Sequence, residues 1–352
     1  MTQAKARRGY FFEDFFVGMV LAHATPKTVT EGDVALYTAL TGSRYALYSS
    51  DAFARVGDLD GAPIDPLLVF HTVFGKSVPD ISLNAVANLG YAEGQFLAPV
   101  FPGDTLSAVS EVIGVKENSN GKTGVVYVRT TGLNQNGEAV LSYVRWVMVN
   151  KGDATKPAPP AQVPTLAPCV APDTLPLPAP NWEGNYDQVL AGSEFGFEDY
   201  EIGEKIDHVD GMTVEEAEHQ IATRLYQNTA KVHFDQVNQA ASRHGKRLIY
   251  GGVVISIARA LAFNGLANAA EILAINAGRH VNPLFAGDTI YAWSEVLDKA
   301  PLDGSHGALR LRLVATKNVP TTDFPDGDNP NIIFDFDYWA AIPLRSQFGR
   351  LA

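Results

Sequence analysis

The chain repeats itself, and nothing else in its sequence restricts the fold as strongly. "YFFEDFFVG" (Tyr10 to Gly18) returns as "FGFEDYEIG" (Phe195 to Gly203), 185 residues later. "TEGDVALYTAL" returns as "TVEEAEHQIAT", and "GQFLAPVFPGDTL" (Gly94 to Leu106) as "GRHVNPLFAGDTI" (Gly278 to Ile290) at an offset of 184. Three blocks in one order at nearly constant spacing mark a duplicated unit, so both halves must share one architecture. Between them, nine of the 21 prolines fall from Pro157 to Pro180. Such a run cannot donate backbone hydrogen bonds regularly and favours extended conformations, which predicts a linker crossing a surface. The division is therefore 1–150, a linker over 151–190, and 191–352.

Each half reads alike. An amphipathic helix is expected to start near Thr30 or Thr213, where a threonine can cap the first turn. A short polar run follows, then a long apolar helix: "PLLVFHTVFGKSV" in the first half and "GGVVISIARALAFNG" in the second. Strands come last, among them "GVVYVRTTGL" and "EAVLSYVRWVMVN", joined through Asn136-Gly137, a good hairpin turn. A nearly all-apolar helix must be covered on most sides. The prediction is an α+β fold with two antiparallel sheets, each wrapped around one central helix.

The polar run of the second half, "LYQNTAKVHFDQ" (Leu225 to Gln236), holds His233, with Asn228 before it and Asp235 after. With "FEDFFVG"/"FEDYEIG" and the "PGDT"/"AGDT" turns, this run makes the chain resemble the double hotdog MaoC-like dehydratases and the R-specific enoyl-CoA hydratases. Their motif, of the type Gly-Asp-x-Asn-Pro-x-His, falls on "QNTAKVH", with His233 at the histidine and Asn228 at the aspartate. In the first half "GSRYALY" takes the same place, with Ser43 for the aspartate and Tyr48 for the histidine, so only the second half keeps the base. "DISLNAVANLGYAEGQFLAPVFPGDTL" and "GLNQNGEAVLSYVRWVMVNK" further resemble the mesaconyl-CoA hydratase family, along essentially the whole chain. The resemblance implies reversible hydration of a branched, carboxylated enoyl-CoA. It also implies no cofactor besides the CoA carried by the substrate, and a homodimer by analogy.

Such a reaction needs a base for water, an acid for the α-carbon and a donor to the thioester oxygen. His233 is the expected acid/base, since an imidazole with an ordinary pKa of ~6.5 cycles near neutral pH. Asn228 cannot titrate and is expected to position water or substrate, which leaves a second proton carrier unassigned. Asp235 either orients the histidine or caps the turn, with capping preferred. Gly251 and Gly252 open the second apolar helix, where glycine serves a tight turn or lets free amides reach a thioester. Tyr48 and Arg44 are candidates for the acyl-binding wall, Arg44 for the free carboxylate. Arg243, Lys246 and Arg247, in "SRHGKR", either hold CoA phosphates or form a solvated helix end.

Other residues point to structure. His71 lies in an apolar run and reads as core; His219, four after Glu215, reads as an exposed pair rather than a metal site. Asp104 and Asp288 should shape strand entry. "NSNGKTG" lacks the first glycine of a phosphate loop, since position 116 is lysine. A net charge of −12 argues against nucleic acid. The single cysteine, Cys169, excludes an internal disulfide or a cysteine zinc site. With no apolar leader and no spanning window, a cytoplasmic protein is expected. Two other functions stay open: a hotdog acyl-CoA thioesterase, and an inactive acyl-CoA-binding subunit.

Overall fold

The computed structural model describes residues 5–349. Its strands are β1 (Val20–Thr28), β2 (Ala85–Phe96), β3 (Thr105–Glu117), β4 (Thr123–Leu133) and β5 (Ala139–Asn150). The second copy supplies β6 (Lys205–Thr213), β7 (Glu271–His280), β8 (Thr289–Pro301), β9 (His306–Lys317) and β10 (Ile332–Pro343). All pairings are antiparallel, in the order β1-β3-β4-β5-β2-β7-β10-β9-β8-β6. The order reads the same from either end once the copies are matched, which is the duplication written in space. What the sequence presents as two sheets is one continuous sheet, because β2 and β7 pair edge to edge with Tyr91 opposite Gly278 and Gln95 opposite Ala274. That pairing removes the two most central edges a separated pair of sheets would expose.

Each five-strand half wraps one helix. The first central helix, Pro66–Ser77, starts with proline at its first position under an Asp65 cap, and every residue from Leu67 to Ser77 is buried. The second, Gly251–Leu261, is buried from Gly252 onward. One apolar cluster spans both helices and both strand sets, from Leu68, Phe70 and Val73 to Val254, Ile257, Leu311 and Leu313. His71 joins the helices by a 2.9 Å contact between its Nε2 and the Ser256 hydroxyl, and it is a core residue as its apolar context requires. Among the described residues no helix is long and apolar enough to cross a membrane.

The outer helices differ from expectation in one copy. Thr30 caps Glu31–Thr41, accepting the Asp33 amide. In the second copy the helix runs Glu216–Leu225 under Glu215, and Thr213 ends β6, its hydroxyl 2.7 Å from that of Thr289. The equivalent of Thr213 is Thr28, which meets Thr105 at the same distance; the capping position two residues later carries threonine in one copy and glutamate in the other.

The proline-rich segment lies extended over the structure. Gln162 exchanges two 2.8 Å backbone bonds with Val115, the Val170 carbonyl accepts the Trp339 indole N–H, and the Val170 amide is held by Asn276. Asp104 and Asp288 each accept an amide three residues back, from Phe101 and Phe285, and so shape their turns.

Candidate active site

The second copy's polar run folds into two short turns, Lys231–Phe234 and Gln236–Ala240, which hang His233 over the start of the second central helix. Asp235 is the hinge between them. Its carboxylate accepts the Asn238 amide at 2.9 Å, so it caps the second turn. His233 lines a cavity of about 300 Å³ whose wall comes from both copies. Tyr250, Gly251, Val254 and His280 belong to the second copy; Phe74, Ser82, Asn88, Tyr91 and Arg145 belong to the first.

The imidazole of His233 is held through Nδ1, 3.0 Å from the Leu248 carbonyl. A carbonyl only accepts, so Nδ1 carries the proton and Nε2 keeps its lone pair. Burial pushes the pKa down to about 4, with the Leu248 carbonyl pulling weakly the other way. At neutral pH the ring is therefore an unprotonated base. Asn228, on the same wall, turns Oδ1 to the Ala230 amide at 3.0 Å and keeps its Nδ2 donors clear of hydrogen bonds to the described residues.

Tyr250 is the centre of the wall. Its ring stands 5.3 Å from that of His233 and 5.9 Å from Phe74, and its buried hydroxyl has no partner among the described residues. It is also the N-cap residue of the second central helix and supplies no side-chain cap. The first copy differs at this point: there Asp65 caps, accepting the Leu67 amide at 2.9 Å. Leu67 corresponds to Gly252. The amide turn that Asp65 closes in one copy is left open in the other. Gly251 lies at the wall and Gly252 one residue behind it, beneath Tyr250 and His71. A side chain at position 251 would place its Cβ 2.3 Å from the His280 ring, so glycine is required for His280 to pack there.

The first copy's equivalent cavity is much smaller. About 70 Å³ remains, lined by Tyr48, Ile64, Pro66 and Val69, with Leu177 and Ala179 of the linker pressed against it. Tyr48 donates to the Ala270 carbonyl and does not reach the open cavity. Arg44 does not reach it either. Its guanidinium lies exposed over the Phe263 ring at 4.5 Å. Both corrections have one cause: the two copies place their sites apart, so residues beside the vestigial site are remote from the other. Of the basic trio, Arg247 is committed to Glu216 and Gln220 and is not free for a phosphate. Arg243 and Lys246 are exposed, Lys246 over the Phe285 ring.

His219 is not an exposed partner of Glu215. It is buried, and its Nε2 accepts the Tyr250 amide at 2.9 Å, fixing the start of the central helix. Burial and the neighbouring His233 hold its pKa down to about 3. Sequence reasoning also passed over His280, whose Nε2 is 3.4 Å from the Tyr91 hydroxyl, with a pKa pushed to about 4 by burial and then His233. Position-by-position comparison of the copies would have found it. His280 stands where the first copy has Phe96, just as His233 stands where it has Tyr48.

Residues 2–321 match the family described as mesaconyl-CoA hydratase. A protein named mesaconyl-CoA hydratase from Cereibacter sphaeroides is 61% identical over 344 residues, covering 96% of this chain and 99% of its own. One named beta-methylmalyl-CoA dehydratase from Chloroflexus aurantiacus is 58% identical over 349 residues, covering 97% and 99%. The crystal structure of a MaoC domain protein from the same organism superposes with a TM-score of 0.95 over 97% of this chain and 99% of that one, at 58% identity. A Mycobacterium tuberculosis protein described as having a double hotdog fold gives 0.75 at 26% identity, over 96% and 99%.

Proposed function

The chain belongs to the mesaconyl-CoA hydratase family, and on that premise we propose that its open cavity adds water reversibly across the double bond of mesaconyl-CoA, giving β-methylmalyl-CoA, with His233 as acid and base. The observation that carries this is the state of His233: unprotonated at Nε2, fixed through Nδ1 to the Leu248 carbonyl and standing on a cavity wall.

In the hydration direction a water donates its proton to His233 Nε2 while its oxygen bonds to the β-carbon. The π electrons move toward the thioester, whose oxygen gains enolate character. The same imidazolium then returns a proton to the α-carbon, and the ring ends as it began. Each step is neutral overall, and no external reductant or oxidant enters. Asn228 Nδ2 donates to the water oxygen and orients it, which an amide does without titrating. The uncapped first turn at Gly251 is suited to the thioester oxygen, because helix N-terminal amides lack intrahelical acceptors and carry partial positive charge, whereas Gly252 lies behind the wall and is not offered to the substrate. The depressed pKa makes the imidazolium a strong acid once formed, which favours delivery to carbon. The small size of the first copy's cavity, about 70 Å³ against about 300 Å³, supports one site per chain, with the first copy acting as the acyl wall.

Incubation with mesaconyl-CoA tests the assignment. The enoyl absorbance should fall without release of thiol, and His233→Ala should lower kcat by about 10²- to 10⁴-fold, the usual range for a positioned acid/base. Thiol release would instead identify a thioesterase, and full activity of His233→Ala would remove this mechanism.

A further inference from the structure

Arg145 is the one arginine or lysine on the cavity wall among the described residues, and no aspartate or glutamate shares that wall. It is fully buried on β5. Its guanidinium lies over the Phe74 ring at 4.2 Å and donates only to hydroxyls: Ser77 at 2.8 Å, and Ser82 from both terminal nitrogens at 3.3 Å. Its Nε–H has no partner, and no carboxylate comes within 4.0 Å among the described residues. Arginine stays charged in proteins, and a buried cation without a counter-ion is costly. The duplicated copy also buries an arginine without a carboxylate, Arg259 on its central helix, but that guanidinium donates to the Ala269 and Ala270 carbonyls and lines neither copy's cavity. Tyr91 pairs with Arg145 across β2 and β5, and the matching pair across β7 and β10 is Ile275 with Tyr338. A neutral phenol therefore stands where the open cavity has a guanidinium.

Two neighbours complete the arrangement. The half-buried Ser82 accepts from Arg145, which leaves its own O–H free to donate into the cavity it lines. Asn88, also on the wall, has neither its amide oxygen nor its amide nitrogen hydrogen-bonded among the described residues. We propose that Ser82 and Asn88, backed by the uncompensated charge of Arg145, form the seat for the free carboxylate of the substrate. This rests on the acyl-CoA assignment above. It places the anion on the first copy's share of the wall, in the same cavity that His233 lines from the second copy. Ser82 and Asn88 touch the carboxylate; Arg145 is a positioning residue that polarises Ser82 and sets the sign of the field.

Calorimetric binding of two saturated thioesters separates the possibilities. Succinyl-CoA carries a carboxylate on its β-carbon, and butyryl-CoA carries a smaller, uncharged methyl group there. The unaltered protein should bind succinyl-CoA about 10²-fold more tightly. Arg145→Met should weaken succinyl-CoA by about 30- to 100-fold and change butyryl-CoA less than threefold, a split that loss of packing alone would not produce. Ser82→Ala, at a half-buried position, should weaken succinyl-CoA selectively by about tenfold, and it decides the matter if Arg145→Met does not fold. Equal weakening of both ligands, or no preference in the unaltered protein, overturns the carboxylate seat while leaving the acyl-CoA assignment intact. If the unaltered protein binds neither ligand, the assignment itself falls, and the seat with it.

Discussion

The pH dependence of kcat/KM exposes the state of His233 directly, because that parameter reports the free enzyme. A solvated imidazole has a pKa of ~6.5, so at pH 5.5 about 9% of it would be unprotonated. Burial in the cavity holds His233 at about 4, against a weaker opposite pull from the Leu248 carbonyl. At pH 5.5 about 97% would then remain a base, a tenfold difference in rate between the two cases. Initial rates of enoyl-CoA loss from pH 4 to 9 should therefore stay flat down to about pH 5 and fall to about half at pH 4. Both reaction directions share this limb, since the overall equilibrium consumes no proton. Stability must be followed alongside. His71, His208 and His219 are buried with pKa values of about 3, 4 and 3, below their unfolded value. The unfolded chain takes up protons first, so the stability they contribute is intact above about pH 6.5 and is lost as pH falls toward their folded values. Each would cost about 2 kcal/mol at pH 5. Asp65 and Glu271, raised to about 6 and about 7, act with the opposite sign and offset part of this. Rates are best taken by brief pH jumps with recovery checked at pH 7. A reversible midpoint near 6.5, with the fold intact, would refute a desolvated base.

Asn228→Asp places a carboxylate beside the imidazole and should raise the acid limb by about one pH unit, since an opposite charge within a few ångströms favours the imidazolium; the same rate profile reads it. Gly251→Ala puts a Cβ 2.3 Å from the His280 ring. Overpacking of that kind should cost about 1–3 kcal/mol by chemical denaturation and lower kcat by displacing His280, and an unchanged midpoint with unchanged kcat would contradict the packing described.

Much of the architecture was readable because it rests on local spacing. The repeated blocks set the copy number, the apolar runs marked the two central helices, and His71 was recognisable as core from its neighbours alone. His233 stood out for a different reason: the motif of the family the chain resembles falls on "QNTAKVH", with a histidine where the other copy has Tyr48. His219 was misjudged because helical spacing from Glu215 shows which residues are near along the helix, not which face the second central helix covers. Its role, accepting the Tyr250 amide, joins residues 31 apart.

The sequence by itself determined the duplication and the helix wrapped by antiparallel strands, since both follow from periodicity or from comparing one half with the other. The tertiary structure decided which residues share a cavity. Tyr91 and His280 are 189 positions apart and become neighbours only because β2 pairs with β7. Arg44, beside the matching motif in sequence, ends against Phe263, while Arg145, in a strand read without a role for its arginine, reaches the wall. Edge-to-edge pairing of two sheets brings the first copy's strand and helix to the second copy's histidine, and no local pattern encodes which side chains meet across that seam.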